Sequence, residues 1–532
     1  MFKYENLINA IEKARKVFNG IHGEMLTAMR SFKRMSTYRR NQLPPGFKII
    51  YVVSNSAGDE ARDILLMPFC IFVFLYRYYA TRMGPESRTR SLKKTQTREE
   101  RKILGEIAGR TKRNLQAIMI DRSTKAKRSL LLAGFNPIRI NIADYEPRSG
   151  KIIYLLHASL PYISNGYATR SHGLLTSLRS RGIDVTAVTR LGFPVDFRKL
   201  GLDDAPHEDH VGSVRYLRMP TVTSGYGKVP LDTYLGNYLD AVIETAKVHR
   251  PALLHAASNY VNGLVADHGA KRLGIPSIYE VRGLWEVTRL SREPEWVETD
   301  EYRMCVRLET DACLEATKVL TITNALREFL VNERGIPAEK IAVVPNCVDT
   351  SRFRPRERDK ELEDRLRFKG KKVIGYVGSV VDYEGLDLLL SAACQLKRSR
   401  DDFRILIVGE GASMNDLKKN CHDLGLERTV VFTGRVSHGD VEDYYSLVDV
   451  AVFPRRKHQV TELVSPLKPF EAMAMAKTIV ASNVAALSEV VTNGITGLLH
   501  CNGDATHLAQ TLETLLDNTL LRKKLAKAGQ QW

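Results

Sequence analysis

Residues 453–484 read FPRRKHQVTELVSPLKPFEAMAMAKTIVASNV. An apolar strand closes at Pro454 and a long polar loop follows. A helix begins near Ser465 or Lys468 and runs through Ala476, and a second apolar strand covers Ile479 to Ser482. Strand, helix and strand in sequence are the repeating unit of a parallel α/β sheet. Upstream, Lys372–Gly378 (KVIGYVG), Arg404–Val408 (RILIV), Val430–Gly434 and Val450–Pro454 carry the same alternation, and Gly497–His500 continues it downstream. Strands this uniformly apolar are expected to be covered on both faces.

Further upstream the pattern occurs a second time. Lys151–His157 (KIIYLLH) is a short apolar run, followed by a glycine-bearing loop (Pro161–Gly166) and a helical segment ending near Gly182. Asp184–Thr189, Ala252–Ala257, Ser277–Val281, Val319–Thr323 and Ile341–Pro345 follow, separated by helix-length stretches. Between the two series lies a polar segment, Asn346–Leu366, rich in charges and carrying Pro355, which reads as a linker. The fold class is therefore α/β, with two doubly wound Rossmann-like domains at residues 151–355 and 356–532. Ligands of such sheets bind beyond the carboxyl ends of the strands, which points to the cleft between the domains.

A chain of 532 residues, 44% hydrophobic and 26% charged, has globular composition and room for about three domains. The formal charge is +18, but residues 1–150 hold 29 Lys and Arg against 13 Asp and Glu, so +16 of it belongs to an N-terminal extension. That extension reads as basic and mainly helical. Residues 64–79 begin with ILLMPFCIFVFLY, too short to span a bilayer, and end in tyrosines and Arg77, a rim that suits a headgroup interface as well as a buried helix. The Lys- and Arg-dense stretch 88–128 fits an anionic membrane surface or a solvated helix. It lacks the interleaved aromatics of a nucleic-acid module, and nucleic acid is not an expected partner. Seven scattered cysteines without a Cys-x-x-Cys pair favour free thiols in a reducing cytoplasm over a zinc site or disulfide framework.

The segment around Glu471-Ala472-Met473-Ala474 resembles the donor-binding signature of the group 1 family of retaining glycosyltransferases with the GT-B fold. Tyr376-Val377-Gly378, Val408-Gly409-Glu410-Gly411, Phe432-Thr433-Gly434-Arg435 and Glu489-Val490-Val491 with Asn493-Gly494 support the resemblance. In the first domain, Leu160-Pro161 with Asn165-Gly166-Tyr167-Ala168-Thr169-Arg170 resembles the family's first glycine loop. Three positions depart from the pattern. Leu463 stands where the signature has its first acid, with Glu462 one place early. Ser379 and Glu384 replace the Arg and Lys that hold the donor diphosphate. Arg282 stands at the strand end where a histidine is common. Basic residues at 455, 456 and 468 offer compensating charge from the opposite wall, since neutralising a departing diphosphate needs charge rather than a fixed chain position. These swaps resemble a subfamily with YEGLD and SPLKP-type motifs in surface-polysaccharide biosynthesis.

The resemblance implies transfer of a sugar from a nucleotide-sugar to a glycan or lipid-linked acceptor, with retention of configuration and without a metal or other cofactor. It places Glu471, Lys468 and Arg282 at the chemistry. Gly378, Ser379, Gly409, Arg435, Arg455, Arg456, Ser465, Leu467 and Glu471 fall on the donor side. Asn165, Gly166, Arg170, His172 and Trp285 fall on the acceptor side. The expected location is the cytoplasm, peripheral on the inner face of the membrane. Two other readings stay open: a non-catalytic scaffold of the same fold in a polysaccharide assembly complex, and a nucleotide-sugar epimerase. The chain stops at Gln530-Gln531-Trp532, within a helix, where the resembled family usually continues back to the first domain.

Overall fold

The computed structural model describes residues 120–138, 141–221, 225–437 and 439–532. The expected interfacial segment 64–79 and most of the basic stretch 88–128 lie outside the described residues. Among those described, no helix is long and apolar enough to cross a membrane.

Among the described residues, helix α1 (residues 120–133) comes first and buries Ala126 and Leu130, the latter in the core of the first sheet. A strap follows, tied down where the Ile142 amide donates to the Arg272 carbonyl (2.9 Å) and the Tyr145 hydroxyl to that of Pro251 (2.7 Å). The first domain contains β1 (Arg148–Leu156), α2 (Gly166–Ser180), β2 (Asp184–Thr189), β3 (Glu208–Val211), β4 (Val214–Leu217), α3 (Leu231–His249), β5 (Pro251–Ala257), α4 (Tyr260–Leu273), β6 (Ser277–Val281), α5 (Trp285–Leu290), α6 (Asp300–Glu315), β7 (Lys318–Thr321), α7 (Asn324–Arg334) and β8 (Ile341–Val343). They form an eight-stranded sheet in the order β3-β4-β2-β1-β5-β6-β7-β8, parallel except for the β3–β4 pair. Helices are started by side-chain caps: Asn165, Asn259 and Thr323 each accept an amide of the turn they begin, which satisfies donors a helix leaves unpaired.

The second domain contains α8 (Lys360–Arg365), β9 (Lys372–Val377), α9 (Leu386–Leu396), β10 (Phe403–Val408), α10 (Met414–Asp423), β11 (Val430–Gly434), α11 (Val441–Leu447), β12 (Val450–Phe453), α12 (Gln459–Leu463), α13 (Lys468–Ala474), β13 (Thr478–Ser482), α14 (Ala485–Ser488), β14 (Leu498–His500), α15 (Ala505–Asp517) and α16 (Thr519–Gln531). Its six strands run parallel in the order β11-β10-β9-β12-β13-β14. Both expected doubly wound domains are present. The sequence pattern announces neither β3–β4 nor the short α12.

Helix α12 links the domains. Val460 and Leu463 belong by chain position to the second domain, yet both are buried in the hydrophobic core of the first. Polar bonds flank this plug. The Thr323 hydroxyl donates to the Leu463 carbonyl (2.6 Å), and Glu489 accepts the amides of Asn324 and Ala325 (2.8 Å each) at the start of α7.

Candidate active site

The donor-side residues converge where β9, β10 and β12 end. Gly378 takes φ +150, and a side chain there would put its first carbon 2.5 Å from Lys468 Cε. Gly409, at φ +132, would likewise collide with the Gly378 carbonyl oxygen. Only glycine allows these two turns to stack backbone on backbone beneath the Lys468 side chain. Tyr376, buried at the end of β9, donates its hydroxyl to the Ser379 carbonyl (2.7 Å) and accepts from Lys468 Nζ (2.5 Å), fixing turn and lysine together.

Glu384, the acid that departs from the family pattern, is buried beside this turn. Its Oε1 lies 2.9 Å from Lys468 Nζ and 3.4 Å from Arg455 Nη2. Burial works to raise the Glu384 carboxyl, and the two cations more than offset it, leaving it below the usual carboxylate range. Burial lowers the Lys468 ammonium, with Glu384 acting against the shift. The sequence alone places Lys468, Arg455 and Arg456 on a diphosphate. In the structure the first two already hold Glu384, so the cluster carries one net positive charge. Arg456 turns away to an exposed ion pair with Asp387, and Arg435 is exposed just past the end of β11.

Glu471 lies one turn into α13, where Tyr445 of α11 donates its hydroxyl to Oε2 (3.2 Å), and burial raises its carboxyl. The helix runs Lys468–Ala474, shorter than the expected run through Ala476, which adopts φ +53 and ends it. Leu463, where the signature has its first acid, is the buried plug described above. Glu462 beside it accepts the Ala485 amide (2.6 Å).

On the other domain, Arg170 and Arg282 converge on Glu280 at the end of β6. Arg170 binds its Oε1 (2.8 Å) and Arg282 its Oε2 (2.8 Å). Arg282 also donates to the Ser171 hydroxyl (2.7 Å), the Tyr167 carbonyl (3.2 Å) and Tyr154, whose hydroxyl donates to Glu280. All three charged groups are buried, so these bonds occupy the Arg282 guanidinium, which the sequence alone aims at substrate. Asn165 caps α2, its Oδ1 accepting from the Ala168 amide (3.0 Å). His172 is 2.9 Å from the Tyr216 hydroxyl, and burial lowers its imidazole. Trp285 stands half-exposed at the start of α5.

A residue assigned to the linker by sequence joins the two halves. Asn346 Oδ1 accepts from Arg170 Nη1 (2.8 Å), while its Nδ2 donates to the Ser465 carbonyl (2.7 Å) and hydroxyl (3.2 Å). Side-chain carbons on Gly166 and Gly283 would stand 3.8 Å from Leu467 and 3.5 Å from Val464. The acceptor-side loops and the 464–468 segment therefore face each other directly across the cleft.

Comparisons with known proteins find matches in both domains. Residues 357–532 match the family model "Glycosyl transferases group 1", and residues 165–347 match "Glycosyl transferase 4-like domain". Each domain of the chain is thus similar to a glycosyltransferase domain, the second to the group 1 model. Alpha-D-kanosaminyltransferase of Streptomyces kanamyceticus is 27% identical over 222 residues, 41% of this chain and 56% of that relative. The chain thus spans little more than half the length of the curated relatives it matches first. Among solved structures, sucrose-phosphate synthase from Thermosynechococcus elongatus superposes with a TM-score of 0.57 at 21% identity, covering 72% of this chain and 93% of that one. HepE of Anabaena, solved in complex with UDP, gives 0.52 at 18% identity over 72% and 94%. These structures share the GT-B arrangement of two Rossmann-like domains.

Proposed function

We propose that this chain is a group 1 glycosyltransferase: it moves a sugar from a nucleotide-sugar bound at the second domain to an acceptor hydroxyl presented by the first. The observation that carries this reading is the convergence of Gly378, Ser379, Lys468 and Glu471 on one wall of the cleft, with the Gly166 and Gly283 loops opposite. The bond between the anomeric carbon and the phosphate oxygen breaks, and the acceptor oxygen replaces it and loses its proton. The diphosphate leaves with the electron pair. Its charge is met by the net positive cluster of Lys468, Arg455 and Glu384, while Glu471 accepts from ribose or sugar hydroxyls. UDP bound to HepE, a neighbour of the same fold, supports a uridine nucleotide as the first candidate. Retention of configuration follows from the family resemblance, as do a surface-polysaccharide product and the absence of a metal requirement. The basic extension, through residues 64–128, would bring the enzyme to an anionic membrane surface.

The test is calorimetric titration of UDP, GDP and their common sugars into the wild-type chain and Glu471→Ala. Micromolar binding of one nucleotide, weakened at least tenfold (about 1.4 kcal/mol) in the variant, is expected. A wild type that binds no nucleotide overturns the donor assignment and leaves the scaffold reading in its place.

A further inference from the structure

The strands of the first sheet end together at the cleft, and the loops after β1, β2, β4 and β6 form a cup lined by aromatic rings. His157, which follows β1, meets Trp285 edge to face, with ring centroids 4.9 Å apart at 88°. Tyr226 lies 5.9 Å from His157 and Tyr260 6.5 Å from Trp285. Tyr260 is buried, whereas Trp285 remains 39% exposed. The next residue fixes its position: Glu286 is completely buried and paired with Arg334 of α7 at 2.9 Å, which pins the first turn of α5. Two residues before the tryptophan, Gly283 abuts Val464, so the indole stands beside the seam with the donor-side segment.

The charges around this cup are already committed. Arg190 binds Asp196 through two bonds (2.5 and 3.0 Å). Arg218 binds Asp209 (2.8 Å), the Ser159 hydroxyl (2.6 Å) and the Leu160 carbonyl (2.8 Å). Arg170 and Arg282 share Glu280. Burial, reinforced by the charge of Arg190, lowers the His157 imidazole well below its ordinary range, so it adds no cation. Lys228 and Arg292, two residues after Tyr226 and seven after Trp285, are exposed, and an ion pair of an exposed cation with a hydrated anion contributes little.

A pre-positioned aromatic ring among neutralised charges suits the apolar C–H face of a pyranose and gives a phosphate or carboxylate nothing to bind. We infer that Trp285, backed by His157, is the stacking platform of the acceptor subsite, and that it takes an uncharged sugar ring. The group presented for transfer is thus the neutral end of a glycan rather than a bare lipid phosphate. This inference rests on the glycosyl-transfer reading.

The full chain, in the presence of UDP and GDP, is applied to a printed array holding neutral glycans alongside phosphorylated and carboxylated ones. Retention on neutral glycans is expected, falling at least tenfold in Trp285→Ala and partly preserved in Trp285→Phe. Nucleotide affinity, measured in parallel by calorimetry, should change less than twofold in both variants, which also shows that they fold. Retention confined to charged glycans, equal retention by Trp285→Ala, or no retained glycan while nucleotide still binds would each overturn the subsite. Absence of nucleotide binding in the wild type would instead overturn the transfer reading beneath it.

Discussion

At the scale of single residues, Glu384 sets the charge of the proposed donor wall. A lone carboxylate buried at this turn would be costly, and so would two buried cations without it. The three together are tolerable because each oxygen–nitrogen contact offsets part of the desolvation. Lys468→Met removes the shorter of the two cation contacts to Glu384, leaving Arg455 as its cation, and should destabilise the protein by roughly 1–3 kcal/mol. Glu384→Gln removes the charge that makes the lysine necessary, so the double variant should recover at least about 1 kcal/mol relative to the sum of the singles. Chemical denaturation of the four proteins checks this, and simple additivity would show that the contact carries no energy. The same logic explains why the site was only partly legible. Glu471, Lys468 and Ser465 announce themselves through a local motif. Glu384 reads as a missing cation because its partners at 455 and 468 are remote in the chain.

At the scale of elements, the strands were legible because parallel strands covered on both faces must be apolar throughout. β9 and β10 therefore stand out without any tertiary information. The β3–β4 pair, EDHV and VRYL, is short, carries charges and is only partly buried, so its sequence resembles a loop. Likewise α12 sits in a stretch that reads as polar, since the partners of Val460 and Leu463 belong to another domain. The helix α4 gives a second, testable consequence of burial. Asp267 is completely buried in it, and desolvation pushes its carboxyl up to about 7. Glu309 of α6, which accepts from the Tyr260 amide at the start of α4 (3.0 Å) and from the Tyr279 hydroxyl, is raised in the same direction by burial and by Glu286. An acid whose folded pKa is raised holds its proton after the unfolded chain has released it. The contribution of these groups to stability is therefore greatest below the ordinary carboxyl range and falls as pH rises from about 4 to about 7, by up to about 1.4 kcal/mol per pH unit for each. Urea denaturation across that window should show the decline, and Asp267→Asn should flatten it. A slope unchanged by the substitution would mean that Asp267 is ionised in the folded protein.

At the scale of the whole molecule, the two domains meet through an apolar plug, a helix cap and one polar relay, and the relay bears on function. Arg170 reaches Asn346, and Asn346 reaches Ser465, so helix α2 is tied to the segment that carries Lys468, the proposed donor wall. Asn346 is suited to this place because its amide accepts on one side and donates on the other. An aspartate in its position would keep the first half, and strengthen it by adding charge opposite Arg170, but would set a carboxylate oxygen against the Ser465 carbonyl. Asn346→Asp should therefore loosen the 464–468 segment without unfolding the first domain. Nucleotide affinity should fall about five- to tenfold (about 1 kcal/mol or more), and the radius of gyration from small-angle scattering should rise as the cleft opens. Ser465→Ala removes only the longer 3.2 Å bond and leaves the carbonyl in place, so its effect should be several-fold smaller. If Asn346→Asp binds nucleotide as tightly as the wild type, the relay is a passive contact and closure depends on the Leu463 plug and the Glu489 cap. Glu489→Ala, which frees the α7 amides, would then be the variant that opens the cleft.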